Sequence, residues 1–134
     1  MHQRRGVAVA GAAVAALLFG SSCGTSEPSG PFVDFVVAVT DETFVLRVAD
    51  PETISAAYQN LRGANSRFPI GPLRQGDGGF NEPWSWHIDP GEVRLTEVAI
   101  ELCDGRPSYV EDHVDDYLAA GYCPWGGRIV AVRP

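Results

Sequence analysis

The stretch WSWHIDPGEVRLTEVAIELCD, residues 84–104, predicts the centre of the fold. Large apolar side chains alternate with smaller or polar ones in two parts of it, namely Trp84, Trp86 and Ile88, then Val98, Ile100 and Leu102. Alternation is the period of a half-buried strand, and the Asp-Pro-Gly turn at 89–91 separates the two parts. We therefore expect two strands of one sheet, at 84–88 and 98–102.

The chain before this stretch predicts a hairpin and a helix. Residues 32–39 are almost entirely apolar, and residues 43–48 return with apolar side chains on one face. Asp50 and Pro51 then have the chemistry of an N-cap and a first helical residue. The expected apolar stripe of this helix is Ile54, Ala57, Tyr58 and Leu61, with Gly63 as its stop. Residues 64–83 predict an irregular edge strand, because Pro69 and Pro72 interrupt it, and then a loop.

A second helix and a last strand are predicted after the central stretch. Ser108 and Glu111 have capping-box spacing, and Gly121 ends the pattern. Its expected apolar stripe is Val110, Val114, Tyr117 and Leu118. Residues 128–132 predict the closing strand. The order favours an α+β domain, with two helices packed on one face of a mostly antiparallel sheet.

The first thirty residues have the pattern of an export signal. Arg4 and Arg5 precede an apolar run at 6–19, and small residues lead to Cys23. We predict a signal peptide at 1–22, a flexible tether at 23–31 and one domain at 32–134. Cleavage before Cys23 would leave a cysteine for lipid attachment, which predicts a lipoprotein anchored to the outer face of the membrane; soluble secretion is the alternative.

The acidic charge excludes some partners. The formal net charge is −7, and removal of Arg4 and Arg5 with the signal peptide makes it −9. Nucleic-acid binding depends on cationic contacts to phosphate, and anionic lipid surfaces attract basic segments. We therefore expect no nucleic-acid partner, and membrane contact only through the lipid anchor.

We expect the three cysteines to have two different roles. Lipidation gives Cys23 a role, which leaves Cys103 and Cys123 on either side of the second predicted helix. In an oxidising compartment we expect these two to form a disulfide.

Few residues have the spacing expected of a catalytic or metal-binding site. Ser85, His87 and Asp89 resemble a triad, but side chains two apart on a strand are separated by about 6.6–6.8 Å, too far for nucleophile and base to meet. His87 and Asp89 lack a third metal ligand. The acidic run Glu111, Asp112, Asp115 and Asp116 is typical of a solvated helix face, and residues 77–82 only loosely suggest a calcium loop. We predict no catalytic residues, no metal and no cofactor.

Aromatic side chains are numerous for a domain of this size, and we expect most of them to pack in the core and the exposed ones to serve binding. Exposed rings next to glycine-rich turns are typical of peptide- or sugar-binding faces. The candidate ligand-binding residues are Trp84, Trp86, His87, Asp89, Tyr122 and Trp125. The expected function is non-enzymatic binding of a protein, peptide or glycan in the cell envelope. The alternatives are a small secreted hydrolase using His87 with Glu101 or Asp104, and a calcium-stabilised adhesion module.

Several motifs resemble one protein family. These are FVLRVADPETI at 44–54, WSWHIDP at 84–90, AIELCDGRPSYVEDHVD at 99–115 and CPW at 123–125. They are similar to small secreted bacterial proteins labelled calmodulin-binding proteins, which resemble the amino-terminal domain of the slime-mould protein BP-seventy-four. The resemblance covers nearly all of residues 32–134 and implies no catalytic residues. Calmodulin's targets are basic amphipathic helices, whereas the second predicted helix is acidic, so we do not expect this chain to bind calmodulin.

The anchor prediction is tested by labelling. Cells fed radiolabelled palmitate should incorporate label into this protein, and Cys23→Ala should abolish incorporation, because it removes the thiol that carries the lipid. Unchanged labelling of the variant, or none in the wild type, would contradict a lipid anchor at Cys23.

Overall fold

A computed structural model describes residues 31–134. The predictions of a signal peptide at 1–22 and lipidation at Cys23 lie outside the described residues, as does the tether apart from Pro31. The strands are β1 (Val33–Val39), β2 (Glu42–Val48), β3 (Phe68–Ile70), β4 (Leu73–Gln75), β5 (Trp86–Ile88), β6 (Arg94–Thr96) and β7 (Arg128–Arg133). The helices are α1 (Pro51–Leu61), α2 (Pro107–Asp112) and α3 (Val114–Ala120), and Glu101–Cys103 forms one 3-10 turn.

The α+β class is confirmed, and in residues 31–134 the strands form three antiparallel sheets. The largest has the order β2-β1-β7, while β3 pairs with β6 and β4 pairs with β5. One core lies between these sheets and the helices, and its largest fully buried side chains include Trp86, Tyr122, Phe35 and Phe44.

The predicted hairpin and first helix are confirmed. β1 and β2 pair from Val33 with Val48 to Val39 with Glu42, and their alternate side chains are buried. Asp50 caps α1, because its Oδ2 accepts the Thr53 backbone N–H at 2.9 Å. Gly63 follows the helix with φ of 77°, a backbone conformation that favours glycine.

The central stretch differs from its prediction. β5 covers only Trp86–Ile88 and pairs with β4, and the next strand is β6, which pairs with β3. The expected strand at 98–102 is wrong, because Val98, Ile100 and Leu102 are 81%, 65% and 74% exposed. The side chains that pack inward from this segment are Ala99 and Cys103, in a small cluster around Phe68. The small residues of the alternation therefore face the protein, and the large ones face solvent.

The predicted capping box is also wrong. Ser108 lies inside α2, and both its backbone N–H and its hydroxyl donate to the carboxylate of Glu42, each at 2.7 Å. The Glu111 carboxylate accepts the Ser85 backbone N–H at 3.0 Å instead of returning to Ser108. Tertiary partners have replaced the local ones.

The second predicted helix is interrupted at His113, which separates α2 from α3. The His113 ring Nδ1 lies 2.8 Å from the carbonyl oxygen of Tyr109, the oxygen that would accept the His113 backbone N–H in an unbroken helix. That N–H instead donates to Val110 at 3.0 Å. Gly121 ends α3 as predicted, with φ of 83°, whereas Leu118 of the expected stripe is partly exposed.

The predicted disulfide is confirmed between Cys103 and Cys123. It joins the 3-10 turn to the chain after α3, where the Cys123 backbone N–H also donates to the Cys103 carbonyl at 2.7 Å. A bond of this kind typically stabilises a small domain by about 2–4 kcal/mol. Within residues 31–134, none of the helices combines the length and apolar character needed to cross a membrane.

Two buried asparagines connect the sheets. Asn81 accepts the Val45 backbone N–H of β2 at 2.8 Å and donates to the Trp86 carbonyl of β5 at 2.7 Å. Asn60 accepts the Ile129 backbone N–H of β7 at 2.8 Å and donates to the Arg67 carbonyl, next to β3, at 2.8 Å. Each amide thus supplies a hydrogen-bond partner to the N–H of an outer strand and to a backbone carbonyl elsewhere.

Asn81→Leu should lower the free energy of unfolding by about 2–4 kcal/mol, because it leaves the Val45 N–H and the Trp86 carbonyl buried without partners. Urea denaturation measures the loss. The control Gln75→Met replaces an exposed amide and should change stability by less than about 0.5 kcal/mol. Equal effects of the two substitutions would contradict the role assigned to Asn81.

Candidate binding cleft

Trp125 lines a cleft of the described domain, residues 31–134. Its side chain is 45% exposed, and its backbone N–H donates to the Asp104 carboxylate at 2.8 Å. Gly126 and Gly127 turn the chain back, with the Gly127 N–H donating to the Pro124 carbonyl at 2.9 Å. Cys123, two residues earlier, is held by the disulfide. The indole is therefore presented from a short, firmly anchored corner.

The opposite side of this cleft is built from the end of α1 and the start of β7. The cleft has a volume of about 530 Å³, and its lining includes Asn60, Gly63, Ser66, Gly127 and Arg128. Asn60 is committed to backbone hydrogen bonds, so it forms a fixed wall. Within residues 31–134, Arg128 has no carboxylate in ion-pair distance, which leaves its guanidinium available to a ligand.

Two of the predicted ligand-binding aromatics lie in the core. Trp86 and Tyr122 are fully buried, with ring centroids 5.3 Å apart, and Phe44 packs against both. The structure therefore corrects the expectation that these two rings form a binding face. Their positions follow from the sheets, because Trp86 points inward from β5 and Tyr122 bridges to Gly71 between β3 and β4.

Trp84 has an intermediate position. Its ring stacks on Trp86 at 6.0 Å between centroids, and its indole N–H donates to the Thr43 carbonyl at 2.9 Å. It covers the core and is hydrogen-bonded to β2, and it is not among the residues that line the cleft with Trp125. The Trp86 indole N–H, by contrast, has no hydrogen-bond partner among the described residues.

His87 and Asp89 make separate structural contacts. The His87 Nδ1 lies 2.7 Å from the Gly76 carbonyl, and the ring packs edge-on against Phe80. Asp89 pairs with Arg74 at 3.0 Å and accepts the Gly91 N–H at 2.9 Å. Partial burial acts to raise the pKa of Asp89, but the hydrogen bonds from Arg74 and the Gly91 backbone outweigh it, so the pKa lies below its ordinary value.

The partners considered for His87 lie elsewhere. Glu101 and Asp104 line a different cleft of about 410 Å³, together with Gly105, Arg106 and Tyr109. Neither carboxylate forms a hydrogen bond or ion pair with His87 among the described residues. Within residues 31–134, no group of three His, Cys, Asp or Glu side chains is arranged to hold a metal ion. Among the described residues, the structure therefore adds no support to the hydrolase alternative or to the calcium alternative.

The comparison with protein families identifies the domain. The family model of the BP-seventy-four N-terminal domain matches residues 32–134, which is most of the chain. The chain belongs to the BP-seventy-four N-terminal domain family. No curated protein and no solved structure matches it.

Sequence patterns reveal only part of the cleft in this BP-seventy-four N-terminal domain. Trp125 is marked by the glycines after it, whereas Ser66 and Arg128 lie in segments without a motif. Asn60 lies in α1, and the sequence does not distinguish it from an exposed polar residue of that helix. The contacts that bring these residues together are between segments distant in the chain, and no local spacing indicates them.

Tyr122 should make the domain sensitive to alkali. Burial raises the pKa of its phenol, which donates to the Gly105 carbonyl at 2.7 Å. The contribution of Tyr122 to the free energy of unfolding is fully present below the unfolded-state pKa of about 10. It falls as the pH rises above that value, because the unfolded chain then releases a proton that the folded chain keeps. The expected slope is about 1.4 kcal/mol per pH unit, measured by urea denaturation at increasing pH.

Tyr122→Phe should flatten this alkaline slope even though it lowers stability at neutral pH. Tyr109→Phe, at an exposed ring, is the matched control and should keep the wild-type slope. An unchanged slope in Tyr122→Phe would show that another group governs alkaline unfolding.

Proposed function

We propose that this BP-seventy-four N-terminal domain is a non-enzymatic binding domain that works outside the cytoplasm and holds its ligand in the Trp125 cleft. The observation that carries the proposal is the exposed indole of Trp125 in a cleft of about 530 Å³ with fixed walls. A flat ring beside a few polar groups is a common way to bind a peptide or a sugar. The ligand is a protein, peptide or glycan of the cell envelope.

The cleft is suited to binding because its walls are rigid. The Asn60 side chain donates to Asn65 and Arg67 and accepts the Ile129 backbone N–H, and the disulfide anchors the corner that carries Trp125. A preformed site loses little conformational freedom when a ligand enters, so more of the contact energy appears as affinity. Ser66 and Arg128 supply polar groups next to the ring.

The export pattern completes this proposal. A lipid on Cys23 would hold the domain at the outer face of the membrane, with 23–31 as the tether and the domain facing its ligands. The disulfide is compatible with that location, since such bonds persist in oxidising compartments. Membership of the secreted bacterial group labelled calmodulin-binding belongs to the same proposal, without calmodulin as the partner.

Trp125→Ala should weaken ligand binding by about tenfold or more, because a stacked ring is a typical hot spot. Glycan and peptide arrays with the labelled protein identify the ligand, and titration of intrinsic fluorescence measures its affinity. Phe32→Ala is the matched control, because Phe32 is equally exposed at 46% but lies outside the cleft. Wild-type binding by a folded Trp125→Ala protein would refute the proposed site.

A further inference from the structure

The segment 98–118 contains five of the exposed large apolar side chains of residues 31–134. Val98, Ile100 and Leu102 lie largely in solvent, Tyr109 is half exposed, and Leu118 is partly exposed. Single exposed apolar residues are normal on a protein surface, whereas a concentration of them marks an interaction site. These residues are far in the chain from most of the Trp125 cleft, and they call for a separate explanation.

Part of this surface forms a groove between the 3-10 turn and α3. The groove has a volume of about 470 Å³, and its lining includes Leu102, Tyr109, Asp115, Asp116, Ala119 and Ala120. Tyr109 also lines the neighbouring cleft that contains Glu101 and Asp104, so the two depressions meet at its ring. We call this combined depression the Tyr109 groove. Its lining combines the apolar side chains of Leu102, Ala119 and Ala120 with four carboxylates, and Arg106 lines the part that contains Glu101 and Asp104.

The groove lies in the most acidic part of the chain. Residues 97–118 contain seven of the seventeen acidic residues but one of the ten arginines. That arginine, Arg106, lies 3.8 Å from the Glu42 carboxylate, whereas Asp115 and Asp116 have no ion-pair partner within residues 31–134. Both lie in the first turn of α3, where a negative charge is favourable. Helix stability alone explains the acids, but it does not explain why they border exposed Leu102 and Tyr109.

The Tyr109 ring is held in place. It stacks on His113 with centroids 4.0 Å apart and contacts Tyr117 edge-on at 6.2 Å. The disulfide at Cys103 fixes the neighbouring Leu102. A fixed aromatic ring among carboxylates offers a cation two favourable interactions, namely the attraction of the negative charges and a cation–π contact with the ring face.

We propose that the Tyr109 groove binds a cationic peptide segment in which a large apolar side chain lies close to Arg or Lys. The apolar side chain packs between Leu102 and the Ala119–Ala120 end of α3, and the cations face Asp115, Asp116 and Glu101. Charge complementarity selects this occupant. A second copy of this chain would bring like charge to the groove, and an anionic membrane surface would be repelled.

The test uses the purified mature protein and two labelled peptides, one amphipathic with Leu and Arg and one with Glu in place of each Arg. Fluorescence anisotropy should show binding of the Leu/Arg peptide alone, and affinity should fall with added salt. Leu102→Ser should weaken binding about fivefold or more, and the Asp115→Asn, Asp116→Asn pair about tenfold. Both changes are at exposed or groove positions, and circular dichroism checks that the variants are folded.

The matched control is the Glu52→Gln, Glu82→Gln pair, which removes the same charge at exposed positions, one of them also in the first turn of a helix. It should leave affinity within about twofold. Trp125→Ala should also bind the Leu/Arg peptide like the wild type, so this inference and the proposed function fail separately.

Three results would overturn the proposal. The first is equal weakening by the control pair, which would mean that net charge alone attracts the peptide. The second is wild-type affinity in Leu102→Ser, which would remove the apolar contact. The third is absence of binding to the Leu/Arg peptide. Self-association seen by sedimentation, or binding to neutral phosphatidylcholine vesicles, would in that case identify a different occupant of the groove.

Discussion

The fold depends on how backbone groups are satisfied where its short sheets end. In residues 31–134 the strands form three sheets, and only β1, β2 and β7 exceed three residues. The outer strands of these narrow sheets leave buried N–H and carbonyl groups without ladder partners, and each such group is costly. Asn81 and Asn60 provide the missing partners, and in doing so they connect the three-stranded sheet to β5 and to the residues before β3. Asn60 also lines the Trp125 cleft, so the same side chain that connects the sheets forms part of the candidate site.

The parts predictable from sequence are those fixed by local chemistry. The β1–β2 hairpin follows from alternation, the start of α1 follows from Asp50 and Pro51, and the disulfide follows from cysteine count and export pattern. The capping box failed because Glu42, 66 positions from Ser108, accepts the Ser108 backbone N–H that the Glu111 carboxylate was expected to accept, and the Ser108 hydroxyl also donates to Glu42. The strand at 98–102 failed because alternation does not by itself supply a pairing strand: the segment passes into the 3-10 turn at Glu101–Cys103, and its large side chains face solvent.

The same limit applies to the binding residues. Trp84, Trp86, Tyr122 and Trp125 are all large aromatic residues near turns, yet Trp86 and Tyr122 fill the core while Trp125 borders solvent. Residue type gives equal reason to bury or expose such rings. What distinguishes Trp125 is its place after a bonded cysteine and before two glycines, where the chain turns outside the sheets. Tyr109 was not among the predicted ligand-binding residues, because its surroundings, from Leu102 to α3, come together only in the folded chain.

The two asparagines also affect how copies of this protein behave toward one another. β2 and β7 are the outer strands of the largest sheet, and an outer strand offers free N–H groups on which a foreign strand can grow. Asn81 occupies such a donor at Val45, and Asn60 occupies one at Ile129. Each side chain stands where an invading strand would have to pair. The amides that hold the domain together therefore also protect it against edge-to-edge aggregation, a hazard for any domain with open sheet edges.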